Sequence, residues 1–131
     1  MTLDELNSHL DMVTQLQDAR DRLQSMRDSI LRASSIDGLP RGSGTGDKVS
    51  ALALKISEQE ETVKRYERIV AKSYVRVKAY IDSISDNRTN LIFYLRFICG
   101  YEWKAVAEVI GGRNTEEAVK AVCYRYLQQS P

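Results

Sequence analysis

Six branched aliphatic residues at intervals of seven constrain the fold of this chain more than any other feature. They are Val49, Ile56, Val63, Val70, Val77 and Ile84. The second position of the same pattern is apolar or aromatic at three of its five occurrences, which are Leu52, Gln59, Tyr66, Ser73 and Tyr80. Such a repeat is typical of a helix that packs along its length against another helix. We expect this helix to begin after a cap at Asp47 and to run to Ile84, about 55 Å at ~1.5 Å per residue.

A second long helix is predicted at the start of the chain. Thr2 and Glu5 have the spacing of a capping box, and apolar residues at helical spacing continue to about Ala33. These residues are Leu3, Leu6, Leu10, Val13, Leu16, Leu23, Met26 and Ile30. Glycine, serine and proline are dense in residues 34–47, which predicts a flexible connector there. The fold class is therefore all-α, with residues 1–84 forming a long antiparallel, coiled-coil-like hairpin.

Apolar residues outside the seam bear on self-association. They are Leu54, Ile69, Tyr74, Val75 and Ile81. Since two helices bury only part of each other's apolar surface, we expect the hairpin to pair with a second copy or to pack on another protein, and we favour a homo-oligomer, a dimer in particular. The alternative is a broader hairpin interface within a monomer.

Residues 85–131 are expected to form a separate domain of three short helices. Asp86 is a candidate N-cap after the heptad ends, and Leu91, Leu95 and Ile98 mark the first helix. Gly100 is the residue type that favours a helix end.

The last two helical patterns suggest a helix-turn-helix. Trp103, Val106, Ala107 and Ile110 share one face of the first helix, and Ala118, Val119, Val122 and Tyr126 share one face of the second. Between them, Gly111 and Gly112 permit a sharp reversal, and Asn114 is expected to cap the second helix in a capping box with Glu117. Two helices at this spacing are typical of a DNA-binding corner. The alternative is a packing corner that binds nothing.

A family resemblance lies in the same residues. The run NRTNLIFYLRFICGYEWKAVA at 87–107, followed by AVK at 118–120 and YRYL at 124–127, resembles small proteins of phages and prophages in low-GC Gram-positive bacteria. These proteins are grouped with the RinA and ArpU late-gene regulators, and their C-terminal helix-turn-helix is similar to region 4 of sigma factors. The resemblance implies promoter DNA as the ligand and transcription control as the role.

The side chains expected to meet DNA lie on the leading edge of the second helix and beside the first. They are Lys104, Arg113, Asn114, Thr115, Lys120 and Tyr124. Lysine and arginine suit phosphate or guanine, and asparagine or threonine suits a phosphate oxygen or a base edge. Glu116 and Glu117 oppose this interpretation, because carboxylates at a helix start repel phosphate. A protein surface is the alternative target.

A line of basic residues on the second long helix is a further candidate for phosphate or partner contacts. Arg65, Arg68, Lys72 and Arg76 share a face away from the valine seam. The alternative is a solvated face whose cations pair with Glu61 and Glu67 at helical spacing.

Composition excludes several classes of function. His9 is the single histidine, so a histidine-based triad or multi-histidine metal site is excluded. The net charge is +1. We expect no enzyme, no cofactor and no metal. No apolar run reaches the ~20 residues that cross a bilayer, so no membrane contact is expected. The acidic start lacks a signal-peptide pattern, which predicts a cytoplasmic location.

Three functions fit these features. The first is a DNA-binding transcription regulator that self-associates through its hairpin and binds double-stranded DNA, with RNA polymerase as a further partner. The second is an oligomeric DNA-packaging protein similar to a terminase small subunit. The third is a helical adaptor that binds proteins and no DNA.

Overall fold

The computed structural model describes residues 1–34 and 43–129, and this part of the chain is helical without a strand. The long helices are α1 (Leu3–Ser34) and α2 (Ser43–Asp82). The short ones are α3 (Asn87–Phe93), a π-helical turn (Tyr94–Ile98), α4 (Trp103–Ile110) and α5 (Glu116–Gln129). The all-α prediction is confirmed, and α1 packs against α2 as expected of a hairpin.

The start of α1 agrees with the prediction, whereas the start of α2 does not. The capping box at the start of α1 is confirmed: the Thr2 amide donates to Glu5 Oε2 at 2.8 Å, and the Glu5 amide donates to Thr2 Oγ1 at 3.2 Å. The predicted cap at Asp47 is wrong, because α2 already begins at Ser43. Amides in the first turn of a helix have no intrahelical acceptor, so glycine and serine disturb a helix less in its first turn than in its middle. The remainder of the predicted connector, residues 35–42, lies outside the described residues.

Contacts group the chain into two compact units. We call Met1–Met12 with Val70–Pro131 the head unit, and Val13–Ile69 the hairpin unit. The division of the chain into domains 1–84 and 85–131 stays a prediction.

The hairpin unit consists of two antiparallel helical segments. Its buried apolar side chains are Leu16, Ala19, Leu23, Ile56 and Val63. Gln59 Nε2 donates to the Ala19 carbonyl at 3.0 Å, and Arg20 pairs with Glu67 across the seam at 3.9 Å. The burial of two consecutive heptad residues, Ile56 and Val63, agrees with the predicted seam. Val13 departs from its predicted stripe and is exposed, as is Leu54.

The head unit has a core to which the start of α1 and the end of α2 both contribute. Its buried residues are Leu6, Val77, Ile81, Ile84, Phe93, Phe97 and Cys123. The Phe93 ring lies 5.7 Å from the Phe97 ring and 5.5 Å from the Tyr126 ring, centroid to centroid. Ile81 is thus a core residue of the head unit rather than part of a surface stripe for another copy.

The register of α3 differs from the predicted stripe. Leu91 is 41% exposed, and the buried residues are Ile92, Phe93, Leu95 and Phe97. A π-helical turn follows α3, in which the Cys99 amide donates to the Tyr94 carbonyl at 3.0 Å. A π-turn adds a residue to the helical turn and rotates the side chains that follow it. Asp86 caps α3 as predicted, since its carboxylate accepts a hydrogen bond from the Thr89 amide at 2.9 Å. The Thr89 hydroxyl donates to the same carboxylate, and the hydrogen bonds from the hydroxyl and the amide lower the pKa of Asp86.

Candidate nucleic-acid interface

The corner formed by α4 and α5 is held by a small apolar core. Ile92, Leu95, Val106, Ala107 and Val119 are buried in it. Trp103, Ile110 and Val122 are partly buried against them. Ala107 is the small residue expected between the two helices, since a longer side chain there would separate α4 from the helices it packs on. The predicted core of the helix-turn-helix is confirmed for Trp103, Val106, Ile110 and Val122, whereas Tyr126 packs against the neighbouring core with Phe93.

The turn between α4 and α5 depends on glycine. Gly111 has φ 75° and Gly112 has φ 67°, a region that side chains with a Cβ rarely adopt. The Gly111 amide donates to the Ala107 carbonyl at 3.0 Å, which closes α4. The chain therefore reverses within a few residues and brings the start of α5 to the surface.

The cap of α5 is Thr115, not Asn114. Thr115 Oγ1 accepts from the Ala118 amide at 3.2 Å. Asn114 instead stabilises the turn: its Nδ2 donates to the Gly111 carbonyl at 2.9 Å, and its Oδ1 accepts from Arg88. The predicted capping box with Glu117 is wrong. The side chain of Asn114 is therefore engaged within the protein.

The other residues proposed to contact DNA are at the surface. Lys104, Arg113 and Thr115 are exposed. Tyr124 is 39% exposed, and its ring lies 6.3 Å from the Trp103 ring in an edge-on contact. Arg113 and Thr115 thus lie at the surface of the turn before α5, with the Thr115 hydroxyl also accepting the capping hydrogen bond from the Ala118 amide.

Lys120 differs from the others because its ammonium is held by two carboxylates. Its Nζ lies 3.2 Å from Glu116 Oε1 and 3.6 Å from Glu117 Oε1. The hydrogen bond to Glu116 raises the pKa of Lys120, and the charge of Glu117 adds to the effect. These three side chains carry one positive and two negative charges, so the first turns of α5 present a net charge of −1. We call this group the α5 carboxylate clamp.

Two arginines of the head unit have roles that sequence reasoning missed. Arg88 Nη2 donates to Asn114 Oδ1, 26 positions away in the sequence. Arg96 Nη1 donates to the Tyr101 carbonyl at 2.9 Å, and its guanidinium lies 5.1 Å from the centroid of the Trp103 ring. Arg96 thereby fixes the segment that leads into α4. No local spacing signals either contact, because each depends on how the helices pack.

The predicted basic line on α2 is exposed along its length, at Arg65, Arg68, Lys72 and Arg76. Within the head unit, Arg76 pairs with Glu5 at 3.0 Å, which reduces the charge it offers to a ligand. Within the hairpin unit, Glu61 pairs with Lys64 at 3.6 Å and Glu67 with Arg20. The two carboxylates predicted to neutralise the line thus pair with other cations.

Searches of the described residues add two negative findings. No group of three or more histidine, cysteine or acidic side chains could hold a metal ion among residues 1–34 and 43–129. No helix in this part of the chain combines the length and apolar character needed to cross a membrane. Comparisons of the chain with protein-family models, curated proteins and solved structures find no match.

Proposed function

We propose that this protein is a DNA-binding transcription regulator of the phage and prophage type, whose helix-turn-helix of α4 and α5 meets double-stranded DNA. The observation that carries the proposal is the exposed start of α5, where Arg113 and Thr115 lie beside a tight glycine turn on a packed three-helix core. An α-helix supported in this way fits the major groove of B-DNA, which is about 12 Å wide. RNA polymerase is a further proposed partner, on the family resemblance alone.

Lys104 and Arg113 are the cations proposed to anchor the corner on DNA. Both are exposed, and within residues 1–34 and 43–129 neither forms an ion pair with a carboxylate. Lys104 lies on the first turn of α4 and Arg113 in the turn before α5. Because one lies on each side of the glycine turn, we propose that they contact phosphates on the two sides of a single groove.

Self-association is proposed to occur through the hairpin unit. That unit contains two helical segments and leaves Val13, Leu54 and Ile69 exposed. A dimer would carry two α4–α5 corners. If both corners bind the same duplex, the dimer binds DNA more tightly than either corner does alone.

A titration of DNA tests the proposal. Duplexes selected by the protein from a random library would be labelled and measured by fluorescence anisotropy at 50 mM NaCl. Arg113→Gln is expected to weaken binding roughly tenfold, since a lost contact to a charged group costs about 1.5 kcal/mol. Lys55→Gln, an exposed cation of the hairpin unit, is the control and should bind as the unaltered protein does. No enrichment of any duplex, or equal losses in the two variants, would reject the proposal.

A protein-binding adaptor is the second candidate, and the α5 carboxylate clamp favours it. With Glu116 and Glu117 at its start, α5 presents a negative surface that suits a basic protein better than a phosphate backbone. Exposed Val109 and Tyr101 on and near α4 add apolar surface of the kind found at protein interfaces. Under this function the titration shows no DNA binding even at low salt.

A further inference from the structure

We propose that Arg88 is a second anchor for a DNA phosphate, and that it forms a two-arginine corner with Arg113. This inference rests on the proposed function, and it names a residue of the same interface that lies outside α4 and α5. The ligand is a phosphodiester of the DNA backbone beside the groove that α5 enters.

The contact between Arg88 and Asn114 carries the inference. Arg88 is the second residue of α3, and its Nη2 donates to Asn114 Oδ1. Asn114 is itself fixed by its hydrogen bond to the Gly111 carbonyl. The guanidinium of Arg88 is therefore held at the glycine turn, next to the residue that follows Arg113 in the chain. An arginine has five N–H donors, and one bond to Asn114 leaves the others for a ligand.

The charges around this corner favour an anion. Arg88 and Arg113 are both exposed, and in the part of the chain that the structure describes neither forms an ion pair. Asp86 is the nearest carboxylate along the chain, and it already accepts hydrogen bonds from the amide and the hydroxyl of Thr89. The α5 carboxylate clamp holds its own cation, Lys120. After the hydrogen bonds from Thr89, the charge of Arg88 also lowers the pKa of Asp86, so this carboxylate offsets part of the charge of Arg88. Arg113 supplies a second exposed guanidinium at the same turn.

Arginine suits this position because its planar group can offer paired donors to phosphate oxygens. A phosphate contact adds affinity without sequence preference and sets the orientation of the protein on the duplex. Arg88 would in this way fix the angle at which α5 enters the groove. Its position also explains why Asn114 is occupied within the protein rather than facing a base.

The experiment measures binding constants as a function of salt. The full chain, Arg88→Gln, Arg88→Lys, Arg113→Gln and the control Lys55→Gln would each be titrated into a selected duplex and an unrelated duplex between 50 and 200 mM NaCl. Removing one phosphate contact lowers the slope of log K against log salt by about 0.9 and weakens binding roughly eightfold at 0.1 M salt. We expect this for Arg88→Gln, equally on both duplexes. Arg88→Lys should restore most of the slope because it keeps the charge.

The outcomes separate this inference from the proposed function. If Arg88→Gln keeps both slope and affinity while Arg113→Gln loses them, the inference is overturned and the DNA-binding function stands. If the unaltered protein binds neither duplex at 50 mM salt, both are rejected. Circular dichroism and the melting temperature of each variant show whether the fold is intact. If Arg88→Gln lowers binding only in proportion to lost folded protein, Arg88 is structural and the inference is overturned.

Discussion

At the scale of single residues, folding changes how readily His9 is protonated near neutral pH. It is 3% exposed in the head unit, and its Nδ1 lies 2.6 Å from Ser73 Oγ. The Ser73 hydroxyl donates to the Val70 carbonyl at 3.1 Å, so its oxygen accepts from an Nδ1–H of the neutral ring. Burial lowers the pKa of His9 below its ordinary 6.5. The folded protein therefore prefers the neutral imidazole.

His9 makes stability depend on pH. Because the pKa is lower in the folded state, its contribution is fully present above about pH 6.5, the unfolded value, and is lost as pH falls through the folded pKa. Between the two pKa values the free energy of unfolding should fall by roughly 1.4 kcal/mol per pH unit. Urea unfolding at pH 7 and pH 5 measures this loss, and His9→Leu should lessen it. An equal loss in the variant would assign the pH dependence to other groups.

At the scale of elements, the start of α5 determines how strongly the corner can attract DNA. Replacing Glu116 and Glu117 with glutamine releases Lys120 from its two carboxylates and changes the charge of the α5 carboxylate clamp from −1 to +1. The affinity for duplex DNA at 50 mM NaCl should rise about tenfold, with a steeper salt dependence because one more cation is available to phosphate. Glu58→Gln with Glu61→Gln in the hairpin unit is the matched control. Unchanged or weaker binding by the α5 variant would place the contact elsewhere.

Sequence patterns predicted the helices and turns better than the roles of individual side chains. The heptad placed Ile56, Val63 and Val77 in the interior, because a period of seven keeps residues on one face of a helix, whereas Val49 and Val70 of the same repeat are only partly buried. The sequence pattern could not identify the N-cap of α5, because Asn114 and Thr115 are both residue types that suit an N-cap. Thr115 forms the cap in the structure, while Asn114 accepts a hydrogen bond from Arg88.

The π-helical turn could not be predicted from the sequence either. Nothing in YLRFI departs from an ordinary helical sequence, so no local pattern signals the wider turn. Arg113 and Thr115 are exposed, as local turn chemistry predicts. The hydrogen bond between Arg88 and Asn114 could not be predicted, because it depends on α3 meeting the turn.

At the scale of the whole molecule, the mass in solution tests the proposed self-association. The chain has a mass of 14.9 kDa, so light scattering should give about twice that value for the proposed dimer. Leu54→Ser and Ile69→Ser together should lower the mass towards that of one chain, because both side chains are exposed in the hairpin unit. Leu91→Ser, a change at an exposed leucine of the head unit, is the control. A mass of eight or more chains would favour the packaging alternative, and a monomer would contradict self-association.

The most direct test of the central claim is an NMR titration of the full, isotopically labelled chain with a duplex that it selects. The claim is that the outer side of the α4–α5 corner is the surface that meets DNA. We expect the amide signals of Arg113, Thr115 and Glu116 to shift most, while the signals of Val13–Ile69 remain where they were. Shifts confined to the hairpin unit, or no shifts at a concentration that saturates binding by anisotropy, would contradict it.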